Sequence, residues 1–442
     1  MADLESPRAP VGMHDVVFPE SARWEELIAR FSARARRAGF GLLITPVVEE
    51  SRVFRRGIGE QSDVVGKEMY ELVDRGGRDL ALRPEGTAPV VRALVQHRPP
   101  LPWRVWYATP AFRYERPQAG RYRQHHQLGL EVLGTEDPDV DVEVISFATG
   151  FVTELGLPGV SLALNSMGCQ RCRPPYVKVL HGYLLERRDA LCDDHRRRLD
   201  SGPLRVLDCK RDQCRGATAD APRLVDALCE DCESHLARVR EGLESLGVDH
   251  RIESRLVRGF DYYTRTTFEL SSTSLEAAQN AVGGGGRYDG LAEQLGGSPT
   301  PGIGFGMGIE RLLLACDATG AFQRPRPVPE VFVVDVTGGE IARDMVASLR
   351  AAGVSAMRAY DRKSLKAQLR LADRSGAPIA WIVGPDERAS GSVTVRSLRQ
   401  GGGQVLLTWK DALEGMTGRT RQGGSALHDQ PERVDRDKGG YE

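Results

Sequence analysis

Near the N-terminus, "SARWEELIARFSARARRAGF" sets Trp24, Leu27, Ile28 and Phe31 at helical spacing with arginines opposite. That pattern predicts a helix ended by Gly39. "GLLITPVVEE" predicts a strand, and "LALRPEGTAPVVRALVQHR" a strand, a Pro-Glu-Gly turn and a helix. "WRVWYATPAFRYE" and "HHQLGLEVLG" are rich in β-formers and flank "RPQAGRYRQ", whose Pro and Gly suit a loop. Together they predict a long antiparallel hairpin with a basic tip. "DPDVDVEVISFATGFVTELGL" predicts a helix after an acidic start, and "GVSLALNS" a strand. Strand texture resumes at "RLVRGFDYYTRTTFEL", with Tyr262, Thr264, Thr266 and Phe268 on one face. "AVGGGGRYDGLAEQLGG" is expected to be a glycine-rich turn, and "TPGIGFGMGIERLLLACD" a glycine-laced strand running into a helix.

Two stretches break this texture. From Cys169 to about His250 cysteines come in pairs between Arg-rich helical segments, which predicts an inserted subdomain. After the proline-rich "QRPRPVPE", the alternation of "VFVVDV", a helix, "SAMRAY", a helix, "IAWIVG", "SVTVRSL" and "QVLLTW" predicts a separate α/β domain with a mostly parallel sheet. From about Thr417 the chain is polar and aperiodic, and disorder is expected there. The expected class is α+β: a core from residues 1–168 and 251–325, an insert at 169–250, a C-terminal domain at 330–416 and a tail at 417–442.

A length of 442 residues fits two or three domains of ~100–200 residues. With 40% hydrophobic and 27% charged residues the composition is that of a soluble globular protein. A net charge of -1 argues against a blanket of positive charge, while a local basic patch stays open. No apolar run suits a signal peptide or reaches the ~18 residues of a membrane span. The expected compartment is the cytosol, so the eight cysteines need a reading other than disulfides.

Candidate chemistry concentrates around the hairpin. Arg113 precedes its loop on strand-like sequence and can point into a fixed site, Arg116, Arg121 and Arg123 ride on the loop within reach of a larger partner, and guanidinium groups suit phosphate and carboxylate. A solvated charged loop is the plainer meaning of such a cluster. Gln127, Gly129 and Glu131 alternate on the return strand and share a face, either a polar pocket floor or a face that meets water. Glu85 and Thr87 sit at a strand–helix turn, where the carboxylate either holds an ammonium group or complements the helix dipole. Arg258 precedes a strand; of Tyr262 and Tyr263 one is expected in a pocket and the other in the core. Gly304, Gly306 and Gly308 strip side chains from one strand face, on which a flat ligand such as a purine could lie, and Arg311 follows. Tight strand packing is the alternative. The glycine run follows neither the P-loop nor the dinucleotide pattern.

These stretches resemble class II aminoacyl-tRNA synthetases, and among them the histidyl-tRNA synthetase family. "FRYERPQAGRYRQHHQLGLEVLG" is similar to motif 2 of the class and "GIGFGMGIERLLL" to motif 3. "RGFDYYTRTTFE" and "VGGGGRYDGL" resemble the histidine-specific signatures, and "LRPEGTA" a further one. "FGLLITPVVEE" is a looser match to motif 1, the dimer interface of the class. The resemblance runs from about residue 9 to 415 and is weakest in the insert. In "VGMHD", Met13 and His14 depart from the Thr and Arg usual in the family, at a position expected to be remote from the motifs.

The resemblance implies an antiparallel sheet flanked by helices, an anticodon-binding C-terminal domain and a homodimer. It implies activation of L-histidine by ATP with Mg²⁺ and transfer to tRNA(His). Glu85, Thr87 and Gln127 would hold the ammonium of histidine. Glu131 and Tyr263 would read its imidazole, with Tyr262 beside them, and Tyr288 would close that pocket. Arg258 would sit between the substrate carboxylate and the α-phosphate, which Arg113 would bind. Arg311 would bind the γ-phosphate, and Gly304 and Gly306 would carry adenine. Arg116, Gln118, Arg121 and Arg123 are candidates for tRNA contact, Arg121 also for ATP. Lys363, Lys366, Arg370 and Arg374 near one helical face suggest RNA contact, Leu365 and Leu369 being turned elsewhere. Two rivals are a histidine-binding regulatory paralog and a zinc-dependent RNA-binding module.

The insert pairs Cys169 with Cys172, Cys192 with His195, Cys209 with Cys214 and Cys229 with Cys232. Such spacings chelate one metal, and soft ligands favour tetrahedral zinc, in two sites or in one with spares. Reduced cysteines packed as small hydrophobes are the alternative. A zinc-folded insert would pack on the tRNA acceptor stem.

Overall fold

The computed structural model describes residues 6–59, 62–276, 280–323, 329–399 and 402–421. The chain divides into two compact units, residues 1–324 and 325–442. The strands of the first are β1 (Gly41–Leu42), β2 (Val48–Glu50), β3 (Tyr70–Val73), β4 (Asp79–Leu82), β5 (Trp103–Phe112), β6 (Gln124–Leu133), β7 (Val160–Ser166), β8 (Arg251–Ile252), β9 (Thr264–Ser272), β10 (Ala281–Arg287) and β11 (Gly302–Gly308).

Eight of them form one sheet in the order β1-β5-β6-β11-β10-β9-β7-β8. Its five inner pairings are antiparallel, and only the edge strands β1 and β8 pair in parallel. The predicted hairpin is its spine: β5 and β6 pair from Trp103↔Leu133 to Phe112↔Gln124. One sheet face packs on helices Glu20–Arg37 and Pro138–Glu154. The second starts where the Asp137 side chain accepts the Asp139 N–H at 3.1 Å and Pro138 fills its first turn. Phe31 and Phe151 meet edge to face at 5.0 Å over Phe268 and Phe305 of the sheet. The opposite face, against helices Ser51–Ile58 and Thr87–His97, carries a second cluster with Tyr107, Tyr262, Tyr263 and Tyr288. Tyr176, Leu180, Leu184 and Val206 of the cysteine-rich stretch belong to that same cluster.

The glycine-rich "turn" is instead strand β10. Val282 is its one β-former, and the space between its neighbours decides the outcome. It pairs with β9 and β11, and a Cβ at Gly283 would press Met307 Cγ at 2.6 Å. Glycine lets the three backbones close up, against its ordinary strand propensity. The strand expected over "GLLITPVVEE" is two: β1 stays with the main sheet, while β2 joins β4 and β3 in a separate small one. Pro46, between them, lacks the N–H a ladder needs.

The second unit holds β12 (Val331–Asp335), β13 (Ala356–Arg358), β14 (Ile379–Val383), β15 (Ser392–Ser397) and β16 (Gln404–Thr408), ordered β13-β12-β14-β15-β16. The sheet is mixed where a mostly parallel one was expected: β13, β12 and β14 are parallel, while β15 and β16 run antiparallel. The link from β14 to β15, residues 384–391, is too short for a parallel crossover. The final helix runs Trp409–Arg421, so the expected tail is helical in its first residues. The remainder of the tail and most of the proline-rich linker lie outside the described residues. Among the described residues no helix is long and apolar enough to cross a membrane.

Candidate active site

Strand register builds the site. β11 runs beside β6 with Gly308↔Gln127, Gly306↔Gly129 and Gly304↔Glu131 directly paired, so each alternating glycine faces a residue of the polar face. Across the hairpin Tyr107 pairs with Gly129, and its ring lies over both Gly129 and Gly86, where no Cβ has room. A cavity of about 370 Å³ opens above this floor. Glu85, Thr87, Arg113, Arg121, Gln127, Arg258, Tyr262, Tyr263, Gly306 and Arg311, drawn from four separate parts of the chain, all line it.

At one side the lining ends in acids. Glu131 is fully buried just behind the wall. Its Oε1 accepts the Thr87 hydroxyl at 2.8 Å and the Tyr107 hydroxyl at 3.1 Å, and its Oε2 accepts the Tyr288 hydroxyl at 2.6 Å. Burial outweighs these three donors and raises its pKa to about 8, with the nearby Glu85 adding to the rise. Glu85 itself accepts the Thr87 N–H at 2.5 Å and the Ala88 N–H at 2.7 Å. It therefore complements the start of helix Thr87–His97 and lines the cavity at once, so the two readings of this residue coexist.

The other side is cationic. Arg113 donates to Pro84 O at 2.9 Å and lies 5.6 Å over the Phe260 ring. Arg311 is held by Gly120 O and Ala281 O, both at 3.1 Å. Burial, followed by repulsion from Arg121 and Arg113, lowers the Arg311 pKa from its ordinary value. Carbonyl oxygens thus pin guanidinium groups that repel one another, an arrangement that a polyanion relieves. Arg258 donates to Thr267 Oγ1 and to Glu269, each at 3.3 Å, and to Phe268 O. Its guanidinium occupies the place a Gly284 side chain would take.

The sequence model described as histidyl-tRNA synthetase matches residues 12–171 and 201–312, and that of the anticodon binding domain matches residues 330–419. The chain belongs to the histidyl-tRNA synthetase family. Proteins named histidine–tRNA ligase from Pelotomaculum thermopropionicum and Moorella thermoacetica are 45% and 46% identical to it, each over 89% of this chain and 93% and 94% of their own. The solved apo histidyl-tRNA synthetase of S. aureus is 30% identical, with a TM-score of 0.79 over 93% of this chain and all of its own.

Against that family's motifs some positions differ from expectation. Both adjacent tyrosines line the cavity, where only one was expected to. Strand alternation does not reach them, because β9 begins at Thr264 and they lie in the turn before it. Tyr288 does not line the cavity; it is buried and donates its hydroxyl to Glu131. Gly304 faces the Glu131 carboxylate, leaving Gly306 as the open glycine with only Gln127 nearby, at 3.9 Å. Arg116 and Gln118 are exposed on the loop. Arg123 is not free at the tip: it donates to Glu115 O at 3.1 Å, stacks 3.9 Å from the Tyr114 ring centre, and its N–H bonds Gly12 O at 2.8 Å. Nor is "VGMHD" remote, since His14 packs 4.5 Å from Tyr122 of the cavity lining.

Sequence reasoning missed Tyr107, Tyr122, His125, Phe260 and Glu310 as lining residues of this synthetase-family site. Tyr107 had a signal, being the cross-strand partner of Gly129. Burial and then Arg113 hold the His125 imidazole well below its ordinary pKa, so it is neutral at pH 7. Glu310 accepts the His126 N–H at 3.0 Å and was legible only as part of motif 3. The paired cysteines gather as two groups of four: Cys169, Cys172, Cys229 and Cys232; and Cys192, His195, Cys209 and Cys214.

Proposed function

We propose that the chain is a histidine–tRNA ligase, which converts L-histidine and ATP to histidyl-adenylate and pyrophosphate and then transfers histidine to the 3′ end of tRNA(His). One observation carries the reading: a single cavity couples a carboxylate-and-phenol cluster at one side to four guanidinium groups at the other, Arg113, Arg121, Arg258 and Arg311, the last held by carbonyl oxygens. Glu131 and Tyr263 read the imidazole, Tyr107 and Tyr288 orient Glu131, and Glu85, Thr87 and Gln127 hold the ammonium. Arg258 and Arg113 flank the α-phosphate, Arg121 and Arg311 the outer phosphates, and Gly306 offers bare backbone for adenine.

An oxygen of the histidine carboxylate attacks the α-phosphorus, an acyl–phosphate bond forms, and the bond to the pyrophosphate oxygen breaks. Charge grows on the α-phosphate as it does so. Carbonyl-pinned guanidinium groups meet that charge without reorganising, which is the main source of rate here. Mg²⁺ accompanying ATP would neutralise part of the phosphate charge, and Glu310 on the lining has the oxygen donors such an ion takes. In the second step the terminal ribose hydroxyl attacks the carbonyl carbon, AMP leaves, and the hydroxyl proton passes to phosphate or solvent.

Residues 1–168 and 251–325 supply the catalytic core, 169–250 the insert, 330–416 the anticodon-binding domain and 417–442 the tail. Exposed Lys366, Arg370 and Arg374 support RNA contact by the helix Leu365–Ser375, although Leu365 shares that open side. We place the enzyme in the cytosol as a homodimer. Ile44, 84% exposed beside exposed Leu42 in the stretch similar to motif 1, supports that interface. Histidine-dependent ATP–pyrophosphate exchange, run across all twenty amino acids, tests the reading. Exchange with histidine alone is expected. Histidine binding without exchange would favour the regulatory paralog, and no histidine binding a pure RNA-binding module.

A further inference from the structure

Eight cysteines behave in two ways in this fold. Cys316 lies alone in the apolar core under the sheet, as a small hydrophobe does. The other seven, with His195, form two quartets whose ligating atoms all lie within 4.8 Å of one another. In the first, Cys169 Sγ stands 3.8 Å from Cys172 Sγ and 3.6 Å from Cys229 Sγ, and Cys172 Sγ stands 3.9 Å from Cys232 Sγ. Sulfurs ~2.3 Å from a common tetrahedral zinc would be spaced about 3.8 Å apart. In the second, His195 Nδ1 lies 3.1 Å from Cys192 Sγ and 3.8 Å from Cys214 Sγ, bracketing the about 3.5 Å of a sulfur–nitrogen edge on the same ion.

The surroundings suit thiolates as well as the spacing does. Backbone N–H groups point at sulfur in both quartets: Cys169 N to Cys172 Sγ at 3.2 Å, Arg171 N to Cys169 Sγ at 3.4 Å, and Cys192 N to Cys214 Sγ at 3.2 Å. Such donors share out the negative charge of metal-bound sulfur. Cys172 and Cys229 occupy the cap positions of helices Arg173–Leu185 and Glu230–Ser245, whose positive ends favour thiolate. Gly168, at φ +64°, leaves room that a side chain would fill, 2.9 Å from Cys172 Sγ.

We propose that this stretch holds two structural zinc ions, one on Cys169, Cys172, Cys229 and Cys232 and one on Cys192, His195, Cys209 and Cys214. The sites are nested in sequence. The outer one joins the exit of β7 to the start of helix Glu230–Ser245. The inner one holds residues 192–214, from which His195, Gly202, Arg205, Asp208 and Cys209 line a second cavity of about 440 Å³. That cavity shares Arg113, Arg121 and Arg258 with the first. The inner ion therefore fixes a wall beside the reactive centre and takes no part in the chemistry. Four soft donors without an open position close both sites to substrate.

Elemental analysis of the untagged full-length protein, purified without chelator, tests this. Two zinc per chain are expected, with native thiol titration leaving only Cys316 outside a metal site. Cys229→Ser and His195→Ala should each lose one zinc while keeping the other, and the double variant should lose both. Cobalt substitution should give tetrahedral thiolate spectra whose two components disappear separately in those variants. Folded wild-type protein with no stoichiometric zinc and with seven further reactive thiols would overturn the proposal, as would stoichiometric iron with its visible absorption. None of these readouts depends on exchange activity, so zinc content and the ligase reading stand or fall separately.

Discussion

Replacing Glu131 by glutamine removes a titrating carboxyl and keeps the volume, and its consequences can be worked out atom by atom. Three hydroxyls converge on the two carboxylate oxygens, with Thr87 and Tyr107 on Oε1 and Tyr288 on Oε2. Glutamine keeps one acceptor for Thr87 and Tyr107 and turns an NH₂ toward Tyr288, which must then rotate its hydrogen away. That reorientation costs about 1 kcal/mol, the worth of one neutral hydrogen bond. The imidazole loses a charge-assisted partner, about 1.5–3 kcal/mol, so the KM for histidine should rise about 10- to 150-fold with little change in the KM for ATP. The pH dependence carries the sharper test. Glu131 is held neutral up to about pH 8, whereas a free imidazole takes up its proton only below ~6.5. The bound pair therefore needs a single proton. Neutral histidine meets protonated Glu131 between those values. Above about 8 a proton must be captured from solvent, and below ~6.5 one must be shed. Histidine affinity should peak between the two limits, and E131Q should lose the alkaline limb near 8. Calorimetry across pH, in two buffers of different ionisation enthalpy, measures both the affinity and the protons exchanged. An E131Q protein with wild-type histidine KM and an unchanged alkaline limb would refute the placement of the imidazole at this carboxylate.

Arg258→Ala should lower exchange by about 10²–10³-fold, the cost of one oriented donor to developing charge, while circular dichroism stays native; wild-type exchange would contradict its role. Asp141→Ala should cost about 3 kcal/mol in urea unfolding, because fully buried Arg287 then loses its 2.6 Å ion pair and keeps only the 3.4 Å contact to Asp289 as carboxylate partner. Asp141→Asn should cost less, and equal stability of Asp141→Ala and wild type would show that the pair is dispensable. Lys366→Ala with Arg370→Ala should weaken charging of tRNA and flatten its salt dependence while leaving exchange unchanged; a parallel loss of exchange would point to misfolding instead of RNA contact.

Most strands of the sheet were legible in advance because both of its faces are covered, and strands buried on both sides are written as runs of β-formers between turn residues. The hairpin Trp103–Leu133 is the clearest case, since β-formers on both arms and a Pro-Gly loop agree. β10 was illegible for the opposite reason. Its four glycines carry no pattern of their own, and their meaning lies in what occupies the space they vacate. Arg258 fills the place beside Gly284, and Gly285 closes on Gly304 O of β11. The same limit applied to the site. Several lining residues carry chemistry in their own side chains, and Glu85, Arg113, Gln127, Arg258 and Arg311 were marked by it. Tyr107 bonds buried Glu131, and a phenol bonded to a buried carboxylate reads in sequence as one more core aromatic; Tyr288, bonded to the same carboxylate, was marked by the resemblance alone.

The cysteine quartets extend this contrast to the insert. Local spacing supplied the pairs, but spacing within a pair says nothing about which pairs meet. The order along the chain is first, second, third, fourth, whereas the contacts join the first to the fourth and the second to the third. Only a fold that brings Cys229 within 3.6 Å of Cys169, sixty residues earlier, converts four chelating pairs into two closed sites. Enclosing the inner quartet within the outer one has an energetic consequence. Closing a long loop costs only slightly more than closing a short one, as its cost grows with the logarithm of length, while a metal held by four ligands returns several kcal/mol to each closure. The two closures thus add to the apolar burial of Tyr176, Leu180, Leu184 and Val206 in holding the insert's short helices and irregular turns against the aromatic side of the site.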